Sequence, residues 1–159
     1  MLAKSGVVEG SMVICSRHTT TAITVNEWES RLVRDIKHWL LQIAPPDYRS
    51  IAAAKGSGGK GGPAYLHNDM DQRPESLDER QRCVENGWDV ENDPAALAAW
   101  RAQEPINAHS HLLSMLLGNS ESIPVSGARL VIGQWQSVML VDMDGPRDRT
   151  VGVHVSGFK

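Results

Sequence analysis

"SMVICSRHTTTAITVNEWESRLVRDIKHWL", residues 11 to 40, is the stretch whose reading decides the fold. Its first half is rich in β-branched side chains and alternates apolar with polar residues, the mark of a half-buried strand. The pattern predicts strand from Ser11 to Val25, bent near Arg17 and His18. From Trp28 onward the period changes. Trp28, Leu32, Ile36, Trp39/Leu40 and Ile43 recur at steps of three and four and form one apolar stripe of a helix. Asn26 fits as its N-cap, with Glu29 at the N3 position of a capping box, and Pro45-Pro46 stops it.

Outside this stretch the chain reads as one ordinary globular domain. It has 159 residues, 41% apolar and 22% charged, enough to bury a core. A formal net charge of -3 supplies no basic field for a nucleic-acid backbone, so nucleic acid is not an expected partner. No apolar run approaches the roughly 18 residues of a membrane span, and "MLAKSGVVEG" lacks the apolar core of a signal peptide. Cys15 and Cys83 stand in unrelated contexts, which speaks against a disulfide framework. A reducing, cytoplasmic compartment is expected.

Downstream, "AAAKGSGGKGGPA" (52–64) reads as a flexible Gly-rich loop without the spacing of a phosphate-binding P-loop. Residues 69–105 turn polar and charged, with a short helix from about Pro94, capped by Asp93 and ended by Pro105. "NAHSHLLSMLLG" is a second helix, with Asn107 as cap and Gly118 as the residue that ends it. On its 3.6-residue period His109 falls with Leu112, Leu113 and Leu116, the expected core stripe. His111 falls with Ser114 and Met115. "ARLVIGQWQSVMLVDM" reads as one long strand with a bulge at Gly133, placing Gln134 and Gln136 on one face. After a "DGPR" turn, "RTVGVHVSG" returns as its hairpin partner. The order strand, helix, loop, two helices, two strands predicts an α+β domain with an antiparallel sheet or sandwich covered by helices.

The polar candidates stand at breaks in these patterns. His18 interrupts a strand, His67 follows Tyr65-Leu66, and His109 and His111 open a helix. Neutral imidazoles meeting in space would hold a divalent ion such as zinc. His111, off the apolar stripe, is the better ligand of its pair. The helix start at Asn107 offers N–H groups to an anion. Arg147 follows Pro146 in a rigid turn and is the more directed of two turn arginines, both of which also read as solvated; Glu27 supplies a carboxylate for proton transfer. Each has a plainer reading: Asn26 caps, Glu27 complements a helix dipole, and threonines make strands.

Together "HTTTAITVNE", "VRDI", "YLHND", "NAHSHLLSMLLGNSESIPV" and "GARLVIGQWQSVMLVDMDGPRDRTV" resemble the YjbQ family, known as secondary thiamine-phosphate synthases. The resemblance covers about 10–68 and 106–157. It implies a compact YjbQ-like α+β unit assembling as a homotrimer, here one domain over 1–159 with an insertion at 69–105. It implies thiamine-phosphate synthesis: hydroxymethylpyrimidine pyrophosphate condensing with thiazole phosphate, so that the partner is a small phosphorylated substrate. His18, His67 and His111 would hold a divalent metal, zinc or magnesium. Glu27, His18 and Arg147 would be catalytic, and Thr19, Thr20, Asn26, Asn107 and Gln136 would bind substrate or phosphate. A metal-dependent phosphohydrolase and a non-catalytic trimer binding metal or a small ligand are the alternatives. The family's usual extra strand and helix before the His-Thr-Thr segment are missing from this sequence, so a neighbour is expected to cover the sheet edge.

Overall fold

The structure, a computed structural model, describes residues 1–47 and 63–159. Most of the Gly-rich stretch at 52–64 therefore lies outside the described residues. The chain divides into two compact units, one formed by Met1–Pro45 with His109–Lys159 and one by Pro46–Ala108. The expected extension at 69–105 falls wholly inside the second.

The first unit is a sandwich of antiparallel sheets with helices, the α+β architecture expected. A short helix α1 (Leu2–Ser5) precedes strands β1 (Glu9–Ser16) and β2 (Thr21–Glu27) and helix α2 (Ser30–Ile43). After the second unit come α5 (Ala108–Leu117), β3 (Ser120–Ser126), β4 (Arg129–Leu130), β5 (Gln136–Asp142) and β6 (Val151–Phe158). One sheet has the order β4-β3-β1-β6, and the other pairs β2 with β5.

The expected single strand from Ser11 to Val25 is thus two strands in two sheets. Alternation sends Met12 and Ile14 of β1 inward, beside Ile123 and Val125 of β3 and Val151, Val153 and Val155 of β6. Ile23 and Val25 of β2 and Val138 of β5 pack against them from the other sheet. At Arg17–Thr20 the chain leaves one sheet for the other. Ser16 and Thr21, on either side of the crossing, are buried and joined hydroxyl to hydroxyl.

Three further expectations are corrected. The last two strands do not form a hairpin: β5 pairs with β2 and β6 with β1, so residues 143–150 cross between sheets. The long strand ends at Leu130 and resumes at Gln136. In between, the Gln136 amide oxygen accepts the Gly133 N–H at 2.7 Å, which makes a turn and takes Gln134 off the strand. Helix α2 begins later than expected because the β2–β5 ladder runs through Asn26 and Glu27, paired with Ser137 and Gln136. The cap is Glu29, whose carboxylate accepts the N–H groups of Arg31 and Leu32 at 2.8–2.9 Å. Those bonds and that of the Ser30 hydroxyl hold its carboxyl below the usual glutamate range.

Helix α5 is also rotated from its expected phase. Ser110, Leu113 and Ser114 are buried, whereas Leu112, Met115 and Leu116 are exposed. The Ser110 hydroxyl donates to the Met143 carbonyl at 2.6 Å, and that of Ser114 to the Thr21 carbonyl at 2.7 Å. Buried serines with backbone partners tolerate the interior as leucines do. Leu113 joins Leu40 and Ala44 in a second apolar cluster bordered by Ile36, Leu117 and Met143.

The second unit holds two single turns (Leu66–Asn68 and Met70–Gln72), α3 (Leu77–Glu85) and α4 (Pro94–Gln103). A Ser76–Glu79 capping box starts α3; Asp93 caps α4, with Pro94 at its first position. Cys83, Val90 and Trp100 form its small core. Arg73 lies 5.4 Å over the Trp100 ring and pairs with Glu104 at 3.2 Å. Fully buried Asp47 accepts the Tyr65 N–H and the Asn68 amide, both at 3.0 Å; Asn68 in turn accepts the Ala108 N–H at 3.1 Å. Among the described residues no helix is long and apolar enough to cross a membrane.

Candidate functional site

Strand β2 separates the residues that the sequence put in one site. Thr21 pairs with Asp142 at one end and Glu27 with Gln136 at the other. Seven residues at about 3.3 Å each put those ends about 20 Å apart. His18, Thr19, Thr20 and the 143–150 loop with Arg147 belong to the first end, and Asn26, Glu27 and Gln136 to the second. Proton transfer needs contact at about 3 Å, so Glu27 is not the acid–base partner of His18. Asn26 is spent locally, its side-chain oxygen accepting the Glu27 N–H at 2.8 Å.

At the first end the backbone knits two loops together. Arg17 N–H donates to the Thr150 carbonyl at 3.1 Å, and Met143 N–H to the Thr20 carbonyl at 3.2 Å. The Nε2 of His18 accepts the Thr150 N–H at 2.7 Å, so its lone pair is occupied and the ring proton sits on Nδ1. Asp142 receives Arg149 twice, at 2.6 and 3.0 Å, and the Asp144 N–H at 3.1 Å. This fork, foremost the Arg149 hydrogen bond, holds the Asp142 carboxyl below the ordinary aspartate range and pushes Arg149 up. A Cβ at Gly145 would overlap the Asp142 carboxylate, so a larger residue there would push that carboxylate out of its present position. Of the two turn arginines, Arg149 has the more enclosed side chain, 8% exposed; that of Arg147 is half-exposed and pairs with Asp144 at 3.3 Å. The sequence favoured the other.

Beside this loop a groove of about 360 Å³ runs between α2, α5 and β5. Val33, Ile36, Lys37, Leu40 and Leu41 line it from α2, His109 and Leu113 from α5, and Met139 to Asp142 from β5, with Trp28, Met143 and Gly145 completing it. Sequence reasoning missed it, because its walls are apolar residues already explained as core. The one available signal was Lys37, a cation one position from the apolar stripe.

The remaining candidates are placed as follows. His111 is half-buried on α5, in the first unit. His67, half-buried, and Asn107, buried, belong to the second unit. Among the described residues no group of three or more His, Cys, Asp or Glu side chains is arranged to hold a metal ion. The three-histidine metal centre is therefore corrected, and the occupied Nε2 of His18 gives a physical reason.

The model of the family described as "UPF0047 protein YjbQ-like" matches residues 1–158. The chain belongs to the YjbQ family. A UPF0047 protein of Methanothermobacter thermautotrophicus is 31% identical over 157 residues, covering 99% of this chain and 76% of the relative. YugU of Bacillus subtilis is 26% identical, covering 98% and 81%. Among solved structures, a hypothetical protein from Aeropyrum pernix superimposes with a TM-score of 0.65 at 32% identity, covering 99% of this chain and 81% of that one. A protein of unknown function from Sulfolobus solfataricus gives 0.66 at 26% identity, covering 99% and 79%. These YjbQ relatives are described as UPF0047 proteins or as being of unknown function. That corrects the expected activity: membership in the YjbQ family does not bring thiamine-phosphate synthesis, transfer chemistry or phosphohydrolysis with it.

Proposed function

We propose that this YjbQ-family chain is a small-molecule-binding protein whose working site is the groove between α2, α5 and β5. The observation that supports the reading is the groove itself. Its volume of about 360 Å³ lies within the range of small-ligand pockets. Its walls are apolar, from Ile36, Leu40, Leu113 and Met139, with three polar side chains, Lys37, His109 and Asp142, set among them. That is the composition of a site that holds an apolar body and orients it by few polar contacts. The test is a methyl-detected, protein-observed NMR screen with neutral and charged aromatic fragments, its hits retested for binding to Met139→Trp, which fills the groove. Fragments that shift the Met139 and Leu113 methyl signals and no longer bind the folded variant are expected. A screen in which none moves those signals rejects the site.

The homotrimer that the family resemblance implies is proposed alongside it. Its support is the exposed apolar row Leu112, Met115 and Leu116 on α5, at 42, 80 and 56% exposure, on a helix without a charged residue. Light scattering on the purified protein should give a mass three times that of the 17.4 kDa chain. A monomer at micromolar concentration refutes it.

A further inference from the structure

We infer that the groove selects an amphiphilic anion, and that Lys37 receives its charged group. The inference rests on the groove being the binding site and adds the class of molecule it takes. It comes from the charge balance of the walls. Two formally charged side chains line the groove, Asp142 and Lys37. The charge of Asp142 is matched on the spot, because the forked Arg149 donates to both its oxygens and is itself almost fully enclosed. Lys37 has no such match: among the described residues its ammonium makes no ion pair. Arg31, Arg34, Asp35 and His38 of the same helix line a separate depression together, so Lys37 is the charged side chain that α2 contributes to the groove.

An uncompensated ammonium on an otherwise apolar wall rewards a ligand that brings the missing negative charge. Lys37 is exposed to solvent at the groove wall, so the attraction is that of a surface ion pair, modest and weakened by salt. A neutral ligand gains only the apolar contact, and a cation meets like charge. The recognised chemistry is therefore an aromatic or aliphatic body, against Leu40, Leu113 and Met139, that carries one carboxylate or phosphate.

The experiment compares four probes of one shape: naphthalene-2-methanol, 2-naphthoate, 2-naphthyl phosphate and 2-naphthylmethylamine. Affinities are measured by calorimetry at low salt on the wild type, Lys37→Gln and Lys37→Glu, with folding checked by circular dichroism. At least one anion should bind about two- to fivefold more tightly than the neutral alcohol. The two anionic arms tell a carboxylate ligand from a phosphate one. Lys37→Gln should bring the anions down to the level of the alcohol and leave the alcohol unchanged, and Lys37→Glu should favour the amine. Equal binding of alcohol and anions to the wild type overturns the charge assignment and leaves the groove as a binding site. Failure of all four to bind overturns both.

Discussion

The two units keep their structure by different means. In the first, the sandwich interior is made of interchangeable aliphatic side chains, Met12, Ile14, Ile23, Ile123 and Val125, drawn from three strands. Each fully buried aliphatic contributes roughly 1.5–3 kcal/mol, and none has a unique partner. Among the described residues the second unit has a buried cluster of Cys83, Val90 and Trp100 and relies on specific polar clasps: Asp47 with Tyr65 and Asn68, Arg73 with Trp100 and Glu104, Arg101 with the carbonyls of Arg73 and Asp71. A fold held by area should degrade gradually under mutation, and one held by clasps should fail at single residues.

That contrast can be broken most directly at Trp100. Replacing it with alanine removes the largest core side chain of the second unit and the ring under Arg73, a loss of about 4 kcal/mol. Hydrogen exchange should rise first across α3 and α4; uniform exchange over both units would erase the distinction. Ile23→Val, at a site 2% exposed in the larger core, should cost only about 1 kcal/mol in urea unfolding. Asp47→Ala leaves a buried and a half-buried donor without this acceptor and should cost about 3 kcal/mol, more than the aliphatic change. If Ile23→Val proves the costlier of these two, the contrast is wrong.

The Asp142–Arg149 fork is the clasp of the first unit and sharpens the comparison. Arg149→Ala should cost about 2 kcal/mol and weaken groove binding. Because the folded carboxyl of Asp142 titrates below its unfolded value, the stabilisation is complete above about pH 4 and disappears as pH falls through the lowered folded value. Thermal melts of wild type and Arg149→Ala should therefore converge under strong acid. The smallest effect is expected at Glu29→Gln, a slight fall in the urea midpoint below that of Ile23→Val, from weakening the charged cap of α2.

Strand and helix types in the first unit were legible where one residue class carried the signal: Met12/Ile14, Ile23/Val25 and Val151/Val153/Val155 alternate cleanly. Partners were not. β6 was assigned to its neighbour in sequence, whereas its register is with β1, Ser11 opposite Ser156. β3 was missed because "SESIPVS" shows two apolar residues separated by a proline, a poor strand by propensity that alternates correctly against β1. Helix α5 was misphased because hydropathy does not foresee Ser110 and Ser114 finding carbonyls inside. For the site, chain neighbourhood suggested that His18 and Glu27 act together. An extended strand is the conformation that separates near neighbours the most.

The sheet crossing at Arg17–Thr20 places β1 and β2 in different layers, and both must wait for partners encoded beyond residue 118. During synthesis the Pro46–Ala108 stretch is finished before β3, β5 or β6 exists. Until then the nascent chain carries two unsatisfied ribbons with aliphatic faces, a period of vulnerability to self-association. Closure of so long a loop makes slow maturation of the sandwich the expected cost of this wiring.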